Sequence, residues 1–344
     1  MSPASTEQFL LEQYTGHPAS QLQDLRKALY QSVFGCEHLI TDTSAAAEGI
    51  RREAAEAGPC SREIEALDGP WSRVQLGVLA DGLTPETLSR MFARSAAMSH
   101  GDADALQEKL TVLRRLIRSG ALPYSPAEAD AELDDWRKNG FPVCRHSEEY
   151  RAAYRPAYRV LHRTYVRLLP LLAAIDRALA ENPRVLLAIE GGAASGKSTL
   201  ADLLTAIYPD TALFHADDFF LRPEQRTAAR YAQPGGNLDR ERLESEILIP
   251  ISRNKAAVYR PFNCRTLSLR EPVTVLPGRL NIVEGSYSFH PELARYYDLS
   301  VFLDISPETQ RSRILKRNGP EWGQQFFDRW VPLEQTYFHE TDTQ

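Results

Sequence analysis

Apolar positions recur with two different periods along the chain, and the change falls near residue 182. Up to that point the spacing is helical. Leu106, Leu110, Leu113 and Ile117 line one face of a predicted helix, and Gly120 closes it. Ser125-Pro126-Ala127-Glu128 reads as a capping box with proline at the first helical position, and Gly140 supplies the stop. Thr84-Pro85-Glu86 opens another helix by the same start chemistry. Residues 1–181 are therefore expected to form a mostly α-helical domain.

Asn182-Pro183 breaks the preceding helix, and short apolar runs replace the helical period. The run at 184–192 (RVLLAIEGG) ends in glycines and has the look of a buried parallel strand. Similar runs recur at 212–216 (ALFHA), 279–285 (RLNIVEG) and 299–305 (LSVFLDI), with helical segments among them. Strands alternating with helices predict an α/β domain over 182–344, with a mostly parallel sheet flanked by helices.

At 344 residues the chain is too long for one ordinary core, which agrees with two domains. A content of 43% hydrophobic and 25% charged residues excludes collagen, coiled coil and disordered tails. The net charge of −6 argues against a protein that coats nucleic acid or anionic membrane. The longest apolar run, Leu168 to Ile175, contains Pro170 and is too short for a bilayer, and the N-terminus lacks the pattern of a secretory signal. Cys36, Cys60, Cys144 and Cys264 are far apart and form no CxxC pair, so reduced thiols in a cytoplasmic protein are expected. Cys36, Glu37 and His38 sit together, but a lone histidine beside a cysteine is more often packed than a ligand.

Residues 191–198, Gly191-Gly192-Ala193-Ala194-Ser195-Gly196-Lys197-Ser198, fit GxxxxGK[ST] in full, with a predicted strand before and a helix (Ser198 to Ile207) after. Glycines let the backbone wrap close enough for successive N–H groups to face phosphate oxygens, and the helix N-terminus adds positive potential. Lys197 is expected to reach the β/γ-phosphates, Ser198 to ligate Mg²⁺, and Thr199 to complete the loop. The cofactors this implies are ATP and Mg²⁺. Asp217 and Asp218 lie just beyond the second strand and Glu284 ends the third, at the strand ends where phosphoryl transfer would place a base and a metal ligand. A solvated turn or helix cap is the ordinary alternative for Asp217 and Asp218.

From about 184 to 338 the chain resembles the uridine kinase / phosphoribulokinase family of phosphate-loop kinases, including nicotinamide riboside kinases. The matching landmarks are GGAASGKST, HADDFF, NLD at 237–239, AVYRPF at 257–262, PVTVLPGRLNIVEGSYSF at 272–289, SVFLDISPETQRSRILKRN at 300–318 and FFDRWVPLEQTYF at 326–338. The resemblance implies that Asp217 is the general base and that Asp239 holds ribose hydroxyls. It places Tyr259 beside the nucleoside, with Asp218 and Arg260 also on the substrate side, and Glu284 near Mg²⁺. Arg311, Arg313 and Arg317 would fall in a lid over the phosphates, with Arg313 and Arg317 neutralising the transferring group and Arg311 facing substrate. A solvated helical face after an N-cap at Ser306-Pro307 is the alternative for each arginine. Cys264 stands where pyrimidine-nucleoside kinases carry a base-reading histidine, and Arg260 and Arg265 there would suit an anionic acceptor.

Between 151 and 167, arginine recurs every fourth residue (Arg151, Arg155, Arg159, Arg163, Arg167) with Tyr150, Tyr154 and Tyr158 one position ahead of the first three. Pro156 interrupts any single helix there, so a solvated edge beside a tyrosine seam is expected, with a basic-aromatic face for RNA as the alternative. His146 in HSEEY could build a site with Tyr154 and Arg159. The expected function is an ATP-dependent kinase for a hydroxyl of a small nucleoside-like or ribose-containing acceptor. Neither membrane nor nucleic acid is expected as a partner, and self-association is left open. The alternative is an ATP-binding regulatory protein whose helical half contacts a protein or RNA.

Overall fold

Helix starts form where the capping residues stand. Thr84, Asp102 and Ser125 each accept a hydrogen bond from a first-turn N–H of the helix that follows, at Thr87, Ala105 and Glu128. The computed structural model describes residues 3–36, 42–58 and 61–343; Glu37, His38 and Cys60 lie outside the described residues. The chain forms two units, Met1–Asp176 and Arg177–Gln344.

The first unit opens with α1 (Pro3–Gly16), α2 (Leu22–Phe34) and α3 (Thr43–Ala57), followed by β1 (Ile64–Ala66) and β2 (Trp71–Gln75). Helices α4 (Pro85–Ala96), α5 (Ala103–Arg118), α6 (Pro126–Lys138) and α7 (Glu148–Tyr154) come next, then β3 (Tyr158–His162), α8 (Arg163–Val166) and α9 (Leu169–Glu181), which runs past the boundary at Asp176. Leu106, Leu110, Leu113 and Ile117 are buried on α5 as their spacing requires, against Leu10, Leu25, Leu29, Leu133 and Trp136. Each such side chain contributes about 1.5–3 kcal/mol on burial.

Sequence periodicity missed one feature of this unit, a three-stranded antiparallel sheet in the order β1-β2-β3. It also spreads the arginine series over α7, the left-handed turn at Arg155 (φ 43°), β3 and α8, so the repeat presents no single face. Arg159 pairs with Glu53 at 2.7 Å instead of joining His146. The tyrosines do pack as a seam, with Tyr150 and Tyr154 rings 4.8 Å apart.

The second unit runs β4 (Val185–Gly191), α10 (Lys197–Ile207), β5 (Thr211–His215), α11 (Ala228–Tyr231), then a helical stretch of α12 (Arg240–Leu243), a wider π turn and α13 (Ile249–Ser252). Two small hairpins follow, one pairing β6 (Ala257–Tyr259) with β9 (Val273–Val275), the other β7 (Phe262–Asn263) with β8 (Ser268–Leu269). The chain ends with β10 (Leu280–Glu284), β11 (Leu299–Leu303), α14 (Pro307–Gln325) and α15 (Val331–Thr341). Helix α14 is broken at Gly319, whose φ of 76° no helix accommodates, just before Pro320.

Strands β11-β4-β10-β5 form an all-parallel sheet in that order. The unit is thus an α/β phosphate-loop fold, and every residue of β4 is buried, the apolar run Val185 to Ile189 together with Glu190 and Gly191. From β4 the chain crosses to β5, two places away; β10 fills the gap, and β11 returns to the other side of β4. That reversal opens a crevice at the carboxyl end of β4. No helix among the described residues is long and apolar enough to cross a membrane.

Candidate functional site

At the carboxyl end of β4 the backbone alternates in handedness, with positive φ at Gly191 (144°), Ala194 (60°) and Gly196 (109°). A side chain at Gly191 would place its Cβ 2.6 Å from the Leu303 carbonyl oxygen, so the close approach of loop to β11 needs glycine. No side chain caps α10, which begins at Lys197. The first-turn N–H groups of a helix have no partner within it. Ser195 Oγ is buried without a hydrogen-bond partner among the described residues. A concave run of amides, an uncapped helix start and an orphaned hydroxyl fit a phosphate group. Lys197, also buried, spends its ammonium on the Gly191 and Gly192 carbonyls at 2.8 and 2.9 Å.

Three strand ends converge beside this loop. Glu284, the last residue of β10, accepts hydrogen bonds at Oε1 from Ser198 Oγ (3.2 Å) and His215 Nδ1 (2.6 Å). That bond raises the His215 pKa, with burial opposing it. Asp217, two residues past β5, keeps its side chain accessible. Even so, the protein crowding it raises its carboxyl above the usual range; nearby Lys197 opposes this and the Glu284 carboxylate adds to it. Burial raises Asp218 as well, against the pull of His215, Arg270 and Arg242. Among the described residues no three His, Cys, Asp or Glu side chains gather as a metal centre. Ser198 and Glu284 could still hold a Mg²⁺ that takes its remaining ligands from phosphate oxygens and water, as that ion commonly does.

The other expected residues divide. Arg313 reaches the loop, donating to the Ala194 carbonyl at 3.1 Å. Arg311 and Arg317 lie over Phe327 and Phe326 instead, and Arg317 also bonds Asn318. Asp239 is buried, caps α12 through the Arg242 N–H, and accepts from Gln225 Nε2 at 2.8 Å. Tyr259 stacks on Phe219 at 5.3 Å. Arg260 donates to the Arg270 and Leu269 carbonyls, so its charge is turned onto its own hairpins. Cys264 is exposed and lies within electrostatic range of Asp217, Asp218, Arg226 and Arg270.

Several residues of this region were not singled out from sequence. Glu190 on β4 accepts from the N–H groups of Gly191, Tyr287 and Phe289 and from Tyr337 Oη, and burial lifts its pKa to about 7. A carboxylate in an apolar strand was the available signal. Ser286, two residues past β10, and Glu334 on α15 also meet the loop.

No protein-family model and no curated protein matches the chain. Among solved structures, one described as a possible uridine kinase from Bacillus stearothermophilus aligns over 50% of this chain and 94% of its own, at 19% identity and a TM-score of 0.38.

Proposed function

We propose that residues 182–344 are an ATP-dependent phosphotransferase acting on a hydroxyl of a small nucleoside-like or ribose-containing molecule. The observation that carries this reading is the convergence of Lys197, Ser198, Glu284 and Asp217 around one phosphate-shaped loop at adjoining strand ends. Loop amides and the α10 N-terminus bind the β-phosphate, and Lys197 exchanges its two carbonyl partners for β/γ oxygens. Ser198 and Glu284 would hold Mg²⁺, which would supply positive charge to offset that of the phosphates. Asp217, accessible and facing the same crevice, takes the proton of the acceptor hydroxyl. Its raised pKa makes it a stronger base than an ordinary aspartate. Arg313 is the lid arginine on the loop and would stabilise charge on the transferring group.

The test is to incubate the purified protein with Mg²⁺, γ-labelled ATP and a pool of small metabolites, and to identify labelled products by mass spectrometry. A labelled hydroxyl compound, lost in Lys197→Ala, supports the reading. Failure of every metabolite to accept label or stimulate ATP turnover would overturn it.

A further inference from the structure

One amide of the phosphate loop already has a partner, and the chain supplies it as a carboxyl group. Glu334 on α15 is buried, and its Oε2 accepts the Ala193 N–H at 2.8 Å. Its Oε1 lies 2.6 Å from Ser286 Oγ, which in turn stands 3.5 Å from Lys197 Nζ and 3.2 Å from the Gly191 carbonyl. The carboxyl therefore sits at the β4 end of the loop; burial raises its pKa, while the bonds from Ser286 and Ala193 and the nearby Lys197 ammonium favour its charged form. The opposite end, at the start of α10, is left uncapped.

We infer that Glu334 is a tethered competitor of the terminal phosphate, and that it sets how strongly the loop prefers a nucleoside triphosphate over a diphosphate. The inference rests on the nucleotide reading above. An inner phosphate at the open α10 end meets no competitor. A phosphate beyond it, drawn to Lys197 and the far amides, meets a carboxylate on the same N–H, and like charges at that range repel. Diphosphate enters with Glu334 in place, whereas triphosphate binds only as the carboxylate withdraws. Affinity for the triphosphate is reduced by the fraction of time Glu334 occupies the amide. Withdrawal also cuts one tie between α15 and the loop, leaving Tyr337 on Glu190 as a remaining one.

Glu334→Gln keeps size and hydrogen-bonding capacity and removes the charge. Calorimetry with ADP and with β,γ-methylene-ATP should show the triphosphate analogue binding about tenfold tighter to this variant, with ADP changed by less than about twofold. In the wild-type protein, hydrogen exchange over 331–341 should quicken with the triphosphate analogue and not with ADP. Equal shifts for both ligands, weaker triphosphate binding, or unchanged exchange with the triphosphate analogue would each overturn the inference while leaving the nucleotide reading intact. Wild-type protein that binds neither nucleotide would remove both.

Discussion

The two units treat buried polar groups in opposite ways. In the first, charge is taken up by protein. Arg73, buried on β2, donates to Gln31, Gln13 and Glu65 and lies over the Tyr158 ring, leaving only Nη2 without a partner among the described residues. His146 spans Asp24 (2.8 Å) and Tyr158 Oη (2.6 Å), the pattern of a neutral imidazole that donates on one side and accepts on the other. Lys109 is buried against Asp68 and Ser32. In the second unit the phosphate loop leaves Ser195 Oγ unpartnered and α10 uncapped, parks its lysine on carbonyls and borrows a glutamate from α15. Satisfied networks hold a fold together, while an unsatisfied concave one is prepared for something else to complete it.

The contrast is sharpest at Asp217. If the crevice is built for chemistry, Asp217→Asn should lower acceptor turnover by about 10²–10⁴-fold. The same variant should leave thermal unfolding unchanged or slightly raised, because it removes a charge that its surroundings disfavour. Normal turnover with a lowered melting temperature would put Asp217 with the structural networks instead. Arg73→Ala should do the reverse. Stripping Glu65 of its buried partner should cost about 3–5 kcal/mol in urea unfolding, and a cost under about 1 kcal/mol would show the network to be dispensable.

A pH titration of stability separates the units further. Burial depresses His146 to about 4 from an ordinary 6.5, so the unfolded chain binds a proton between those values that the folded chain does not. Stability should fall as pH drops from about 6.5 towards 4, by at most about 1.4 kcal/mol per pH unit from this group. Asp24 acts in the same direction at lower pH: burial works to raise its pKa, but hydrogen bonds from His146, Ser147 and Gln21 hold it below its ordinary value. His146→Gln should flatten the slope above pH 4, and an unchanged slope would acquit the histidine. The smallest effect is expected at an isolated cap. Asp102→Ala should cost about 1 kcal/mol, read from the urea midpoint, with no change in nucleotide binding.

Local signals accounted for much of the architecture and named much of the candidate site. The β4 run, the glycines after it and the α10 start form one short stretch whose pattern and turn chemistry act between near neighbours, so Lys197 and Ser198 could be named without a structure. Asp217 and Glu284 were legible because they stand at the carboxyl ends of predicted parallel strands, and a carboxylate that ends an apolar strand, as Glu284 does, carries a desolvation cost that asks for a role. The sheet of the first unit was not legible. Its β1 is three residues long, and β3 pairs with β2 from more than eighty positions away, inside a segment dominated by an arginine repeat.

The chain by itself determined where helices begin, which runs are buried strands and which loop can cradle a phosphate, because capping, periodicity and glycine geometry are decided within a turn or two. Only the tertiary structure decided that Arg313 reaches the loop while Arg311 and Arg317 lie over phenylalanines, and that Glu334 comes back to Ala193 across 141 positions. Those outcomes depend on how crossovers and packed helices bring distant segments together, and a carboxylate gives no local sign of which distant amide it will meet.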